Sequence, residues 1–135
     1  MQIHVYHEGK LRFRACARGH SSWADQPFAL NGQDSGMTPT EWLLAALGSC
    51  MGMAAVRYLD KQNLNSQGLQ LSLRADVEHG AVNAATIHVH VVLEAALNPQ
   101  QRQQLKTALN QCELFRILQH PPHIKTEILA SLPQP

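Results

Sequence analysis

The stretch that decides the fold is TPTEWLLAALGSCMGMAAV, residues 38–56. Thr38 is a good helix N-cap and Pro39 suits the first helical position. Glu41 follows three residues after the cap, where its carboxylate can reach back to the cap amide. These three residues predict the start of a long helix. The return of polar residues after Val56 predicts that the helix ends near Gln62.

This helix carries no polar stripe between Trp42 and Val56, so it is expected to be covered on all sides. Many of its residues are small, which lets neighbouring backbones pack closely: Ala45, Ala46, Gly48, Ser49, Gly52, Ala54 and Ala55. A single sheet covers only one side of a helix. The simplest way to cover the other side of the helix is a homodimer in which the partner subunit packs against it.

The composition is that of one globular domain, taken as residues 1–135. Apolar residues make up 44% of the chain, charged residues 16%, and the formal net charge is +1. This balance argues against disorder, and the scattered basic residues do not suggest nucleic acid or a membrane surface as a partner. The N-terminus lacks the pattern of a secretory signal, and the longest apolar stretch is shorter than the ~20 residues of a membrane span. We therefore expect a cytoplasmic protein.

The segment before the helix predicts strands. Alternating apolar and polar residues over 3–17 predict a hairpin, a weaker strand is predicted over residues 21–26, and a loop over residues 27–36. One face of the hairpin is cationic and also holds a thiol: Lys10, Arg12, Arg14, Cys16 and Arg18.

The segment after the helix predicts two strands, over residues 69–77 and 87–93, joined by a turn at Gly80. Asn98 is the predicted cap of a second helix whose apolar stripe ends in Cys112 and Leu114 or Phe115, so that Cys112 faces the core. A last strand is predicted over residues 124–128, followed by a tail at 133–135. Strands and helices in this order predict the α+β class.

The segment GMTPTEWLLAALGSC, residues 36–50, resembles the central-helix signature of the OsmC/Ohr family, the osmotically inducible and organic hydroperoxide resistance proteins. Cys112 resembles the family's second cysteine on a later helix, and the preceding Asp25-Gln26-Pro27 is similar too. The resemblance covers nearly the whole chain. It implies an OsmC-like fold, with a long buried central helix enclosed by antiparallel sheets in an intertwined homodimer.

The resemblance also implies a chemistry, that of a thiol-dependent peroxidase for organic or fatty-acid hydroperoxides. Cys50 would become a sulfenic acid and then form a disulfide with Cys112, and a dithiol partner would reduce that disulfide. An arginine of the N-terminal strands would hold the Cys50 thiolate, with Arg18 preferred over Arg14. Neither a metal nor another cofactor is implied.

Further residues complete this expected site. Glu41 is the candidate carboxylate for orienting the arginine, although its place in the capping box explains it without catalysis. An apolar substrate tail would lie at the dimer seam. The residues expected to contact it are Trp42, Leu47, Met53 and Phe28.

Two departures from the family pattern favour an alternative. Thr40 stands where the hydroperoxide enzymes usually have a glutamate, and Glu113 follows Cys112 where they usually have proline. The alternative is a non-enzymatic OsmC-like protein that binds a small apolar ligand or senses oxidants without turnover.

Simpler interpretations remain for several other residues. The cysteines could be core residues, Cys16 could lie on a hydrated face, and the N-terminal arginines could pair with Asp25 or Asp34. His88 and His90 have a spacing that some zinc sites use, with His120 and His123 as conceivable partners. A hydrated polar strand face is the favoured interpretation of the two strand histidines.

Overall fold

The computed structural model describes residues 1–76 and 86–130, and these residues form two antiparallel sheets and three α-helices. The first sheet contains β1 (His4–His7), β2 (Phe13–Ala17) and β3 (His20–Ala24) in sequential order. Cys16 pairs with His4 on one side and with Ser21 on the other. The predicted hairpin and the weaker third strand are therefore confirmed. A 3-10 turn, Phe28–Leu30, lies in the loop that follows.

The central helix α1 spans Pro39–Lys61, with Thr38 as N-cap and Gln62 as C-cap. Both halves of the predicted capping box are present. The Thr38 amide donates to Glu41 Oε2 at 2.7 Å, and the Glu41 amide donates to Thr38 Oγ1 at 3.3 Å. The helix start and end agree with the sequence prediction because this local signal needs no tertiary partner.

The second sheet contains β4 (Gln70–Ala75) and β5 (Ile87–Val92), as predicted. Helix α2 spans Pro99–Asn110 and starts with its own capping box at Asn98. The helix does not run on through Cys112. It ends at Asn110, and Cys112 takes an extended conformation and caps a separate helix, α3 (Glu113–Gln119). The α+β class is confirmed.

The predicted last strand is wrong for the single chain. Residues 121–129 have no regular secondary structure, and Ile124 and Ile128 are 84% and 99% exposed. The alternation of apolar residues is compatible with a strand, but a strand must also pair with a neighbouring edge, and this segment pairs with none of the described strands. Val77, the predicted turn at Gly80 and the tail at 133–135 lie outside the described residues.

The core lies on one side of α1. Leu47, Met51, Ala55 and Leu59 are buried, and Leu105 of α2 packs against the same face. Helix α1 also packs against β4 and α3.

The opposite side of α1 is uncovered in the single chain. Leu43 is 46% exposed and Met53 is 60% exposed, and Ala46 lies on the same stripe. The first sheet meets α1 near the helix start, where Trp42 Nε1 donates to the Trp23 carbonyl at 3.0 Å. The described chain therefore does not meet the expectation of a helix covered on all sides.

Helix α1 is long and apolar enough to cross a membrane by length and composition alone. Core helices of soluble proteins pass the same test, and α1 has the corresponding buried face against α2, α3 and β4. We therefore treat it as a core helix.

Candidate functional site

Cys50 lies in the middle of α1, at the border between the buried face and the exposed stripe. Its side chain is partly buried, with buried Leu47 and Met51 on one side and exposed Ala46 and Met53 on the other. Successive helix residues are rotated by about 100°, which puts Cys50 on the same side as Ala46 and Met53 but closer to the core. The Cys50 side chain therefore packs against the core on one side and is partly accessible to solvent on the other.

Cys112 is brought to Cys50 by the break between α2 and α3. It is 6% exposed, and its Sγ accepts a hydrogen bond from the Phe115 amide at 3.4 Å, as the cap of α3. Cys112 belongs to the buried core cluster formed by α1 and α2, and Cys50 packs against that cluster. Both thiols are free. The two cysteines therefore belong to one packed cluster although they are far apart in the sequence.

The two thiols share a cavity of about 400 Å³, which we call the two-thiol cavity. Met53, Arg57, Tyr58 and Lys61 of α1 line it, together with Gln111 and Glu113 beside Cys112. The Tyr58 hydroxyl is bonded to the Gln101 carbonyl at 3.2 Å and to Gln104 Oε1 at 3.0 Å, which ties α1 to α2 at this point.

The environment of Cys112 disfavours its thiolate. Burial raises the pKa of Cys112, and interaction with Cys50 raises it further, whereas the Phe115 amide acts in the opposite direction. Cys112 is therefore held as a protonated thiol near neutral pH. A protonated Cys112 can donate a hydrogen bond to the Cys50 sulfur when Cys50 carries the charge.

Arg14 lies in the first sheet and contacts a different cysteine. Its guanidinium forms an ion pair with Glu8 through Nε, and its Nη1 donates to Cys16 Sγ at 3.1 Å. This pairing raises the pKa of Arg14, and the bonds from Arg14 and then Trp23 lower the pKa of Glu8. Within one chain, Arg14 is thus committed to Glu8 and Cys16.

Arg18 lies in the β2–β3 turn, where it is exposed and has a φ of 52°. This turn belongs to the first sheet, whereas Cys50 lies beside α2 and α3. Arg12 also pairs with Glu8, at 3.4 Å. The chain by itself therefore does not bring an N-terminal arginine to the two-thiol cavity through any contact seen in the described residues.

Asp25 is not an arginine partner. It is 1% exposed and accepts bonds from Ser35 Oγ at 2.7 Å and from the amides of Gln26, Gln33 and Ser35. These bonds, that of the Ser35 hydroxyl foremost, hold the pKa of Asp25 below its ordinary value. The carboxylate therefore organises the loop before α1.

Glu41 is engaged at the start of α1. Its bond from the Thr38 amide, followed by the bond with the Thr38 side chain, lowers its pKa. A carboxylate held by the helix cap is about 13 Å along the axis from Cys50, at ~1.5 Å per residue.

The four residues expected to hold a substrate tail are dispersed in the single chain. Met53 lines the two-thiol cavity, and Leu47 is a core residue at 3% exposure. Trp42 lines a separate apolar groove between the first sheet and the start of α1, and Phe28 is 72% exposed on the 3-10 turn.

The strand histidines do not form a metal centre among the described residues. His88 Nε2 lies 2.9 Å from Asp76 Oδ2, and Asp76 also pairs with Arg74 at 2.9 Å. The favoured interpretation as a polar strand face is consistent with these contacts.

Two cations of the two-thiol cavity, Arg57 and Lys61, were not predicted from the sequence. They follow Cys50 by seven and eleven residues on α1, which puts them on the same side of the helix. Side chains on a helix lean toward its N-terminus, so both can reach back over the cavity. Their spacing of seven and eleven residues from Cys50 was the feature of the sequence that could have predicted two cations near this thiol.

Comparison with known proteins agrees with this architecture. The model of the OsmC-like protein family matches residues 32–127. No curated protein matches the sequence.

Three solved structures share the fold at low sequence identity. A Psychrobacter arcticus protein, provisionally described as an osmotic stress induced and detoxification response protein, has a TM-score of 0.80 at 17% identity, over 90% of this chain and 89% of the other. An OsmC-like protein from Mycoplasma pneumoniae has a TM-score of 0.74 at 14% identity, over 89% and 87% of the two chains.

The third structure is from Legionella pneumophila and is described as an organic hydroperoxide resistance protein OsmC and predicted redox protein. Its TM-score is 0.65 at 12% identity, over 88% of each chain. The family match covers more than half of the sequence, and the fold agrees with it. The chain belongs to the OsmC-like protein family.

Proposed function

We propose that this protein is a thiol-dependent peroxidase that reduces organic hydroperoxides through Cys50 and Cys112. The observation that carries the proposal is that both thiols line one cavity and that Cys50 packs against the buried cluster to which Cys112 belongs. Two cysteines remote in sequence meet because α2 stops at Asn110 and the chain turns at Cys112.

The reaction balances with the two thiols and a dithiol. The Cys50 thiolate attacks the terminal oxygen of the hydroperoxide, the O–O bond breaks, and the alcohol leaves after taking up a proton. Cys50 is now a sulfenic acid. The sulfur of Cys112 attacks it, a disulfide forms, and water leaves. A dithiol then reduces the disulfide by exchange and is itself oxidised.

The roles of the two cysteines follow from their surroundings. Cys112 is buried with a raised pKa, so it favours the protonated state. Cys50 is more accessible and lines the cavity beside Met53. Since thiolates are the nucleophiles, Cys50 is the better first attacker and Cys112 the better resolving thiol.

A homodimer would complete the site. The exposed stripe of α1, which includes Leu43, Ala46 and Met53, lacks a cover in the single chain, and the apolar face of the first sheet presents Val5 and Phe13 at 59% and 41% exposure. Both surfaces would be buried if the sheet of one subunit packed on the helix of the other. Trp42 and Phe28 would then contribute to a shared apolar seam.

The dimer would also bring a partner arginine toward Cys50. Of the two candidates, Arg18 is exposed in its turn, whereas Arg14 is already paired with Glu8. Arg18 is therefore the better choice for the cation that stabilises the thiolate. We place the protein in the cytoplasm, where a dithiol reductant is available and the three cysteines stay reduced.

The proposal is tested by treating the reduced protein with sub-stoichiometric cumene hydroperoxide and mapping its thiols by mass spectrometry. We expect a Cys50–Cys112 disulfide in the wild type and a trapped sulfenic acid at Cys50 in Cys112→Ser. Cys16→Ser is the matched control and should behave like the wild type. The idea fails if neither Cys50 nor Cys112 reacts faster than free cysteine.

A second candidate is a binding or oxidant-sensing protein without turnover. The specific observation in its favour is that Glu41 is held in the capping box and Thr40 replaces the usual glutamate, so a carboxylate to orient the arginine is lacking at that position. Steady-state consumption of peroxide with a dithiol separates the two candidates. A sensor would form the disulfide once and then stop.

A further inference from the structure

A second groove lies between β5 and α2, on the other flank of α1 from the exposed stripe. Its volume is about 660 Å³, within the range of small-molecule sites. We call it the β5–α2 groove. Its apolar walls include Met51, Val89, Val91, Leu105 and Phe115.

The groove exists because β5 stands away from α2. The β4 strand and α2 both pack on α1, and the inner side chains of β5 then lie over the gap between them. Met51 forms part of its floor at 3% exposure. Along α1, Met51 is rotated by about 200° from Met53 and 140° from Ala46, so the groove lies on a different side of the helix from the exposed stripe.

The charges at the groove are of one sign. Arg102 and Lys106 line it four residues apart on α2, and the described lining residues include no aspartate or glutamate. The Arg102 Nε donates to the Leu97 carbonyl at 3.2 Å, and Leu97 also lines the groove. This bond holds the guanidinium at the groove and leaves its other N–H groups for a carboxylate.

An apolar trough with two cations at its rim matches an anionic amphiphile with a single alkyl chain. We propose that the β5–α2 groove binds a medium-chain fatty acid, with its carboxylate at Arg102 and Lys106 and its alkyl chain along β5. The chain would extend toward Met51, the neighbour of Cys50, and Phe115, whose amide contacts Cys112. The proposal does not depend on peroxidase activity.

The site is tested by titrating the full-length reduced protein with decanoate by calorimetry, with decanol as the uncharged ligand of equal length. Decanoate should bind saturably, with one molecule per chain, and more tightly than decanol. The double variant R102Q/K106Q should weaken decanoate binding by about three- to tenfold, as expected for losing two exposed ion pairs, and should leave decanol binding unchanged.

The matched control is R57Q/K61Q, which removes an arginine and a lysine with the same spacing from the two-thiol cavity. It should leave decanoate binding unchanged. A second variant, Val91→Phe, fills the groove and should abolish the binding of both ligands while the thermal transition is retained. Glutamine is a good helix former, so both double variants are expected to fold.

Three results would overturn the assignment. Decanol could bind as tightly as decanoate, which would show that the two cations do not recognise a carboxylate. R57Q/K61Q could weaken decanoate binding as much as R102Q/K106Q does, which would move the site to the two-thiol cavity. Sedimentation could also show that Val91→Phe dissociates a dimer, which would make the groove an interface between two copies of the chain.

Discussion

Gly48 and Gly52 lie one turn apart on α1, and the structure predicts different outcomes for the same replacement by alanine. Glycine in a helix interior is less favourable than alanine by about 0.5–1 kcal/mol. At Gly52, an added Cβ would lie 3.5 Å from Leu71 Cδ1, which is an ordinary contact. Gly52→Ala should therefore raise the free energy of unfolding by the full 0.5–1 kcal/mol or so.

At Gly48, an added Cβ would lie 2.7 Å from Leu73 Cδ1, well inside a normal carbon contact of about 3.5–4.0 Å. Gly48 is buried against β4, and the clashing atom is the end of the partly buried Leu73 side chain, which must shift to make room. Overpacking of this kind costs about 1–3 kcal/mol. Subtracting the helix gain leaves Gly48→Ala between neutral and about 2.5 kcal/mol destabilising.

The assay is thermal and urea unfolding of both variants at one protein concentration, since dimerisation makes the midpoint depend on concentration. For a chain of this length, 1 kcal/mol corresponds to about 3–5 °C. Adding Leu73→Ala should restore the helix gain at Gly48, because it removes the clashing methyl group. Equal stabilisation by Gly48→Ala and Gly52→Ala would refute the proposed packing of α1 on β4.

Three other predictions concern the helix cap, the resolving thiol and the loop carboxylate. Thr38→Ala removes the α1 cap and should lower the free energy of unfolding by about 1 kcal/mol in urea titrations, whereas the control Thr40→Ser should have little effect. Because the pKa of Cys112 is raised, the stability that its protonated thiol contributes is complete below the ordinary cysteine pKa and is lost as the pH rises through the raised value. Between about pH 8 and 10 the wild type should therefore lose more stability than Cys112→Ala. Equal slopes of unfolding free energy against pH for the two proteins would contradict this. Because the pKa of Asp25 is lowered, its carboxylate stabilises the fold above the ordinary aspartate pKa, and this stabilisation is lost as the pH falls through the lowered value. Asp25→Asn should therefore be less stable than the wild type at about pH 7 and should lose less stability on acidification. An unchanged midpoint of acid unfolding would count against this prediction.

The helix starts were predictable because their signals are local. The capping boxes at Thr38 and Asn98 each need only four consecutive residues, and both form as predicted. The strand pairs were also predictable from alternating side chains. The break at Cys112 was not, because the apolar stripe of α2 continues into α3 and hides the change of direction.

The last strand shows the limit of a periodic pattern. Ile124, Thr126 and Ile128 alternate as in a strand, but the partner edge is a tertiary feature that periodicity does not specify. The same holds for the cations. Sequence reasoning favoured Arg18 and Arg14 by family resemblance, whereas the chain itself puts Arg57 and Lys61 beside the two thiols.

The sequence by itself determined the two helix starts, the first five strands, the α+β class and the family resemblance, because capping residues, side-chain alternation and the motif around Cys50 act over short distances. The tertiary structure alone decided that Cys112 is buried in the cluster against which Cys50 packs, that Arg14 is paired with Glu8, and that one flank of α1 is covered while the other is exposed. These features depend on which surfaces pack together, because packing joins residues from segments that are distant in the sequence. The local sequence of one segment does not specify which other segment it will contact.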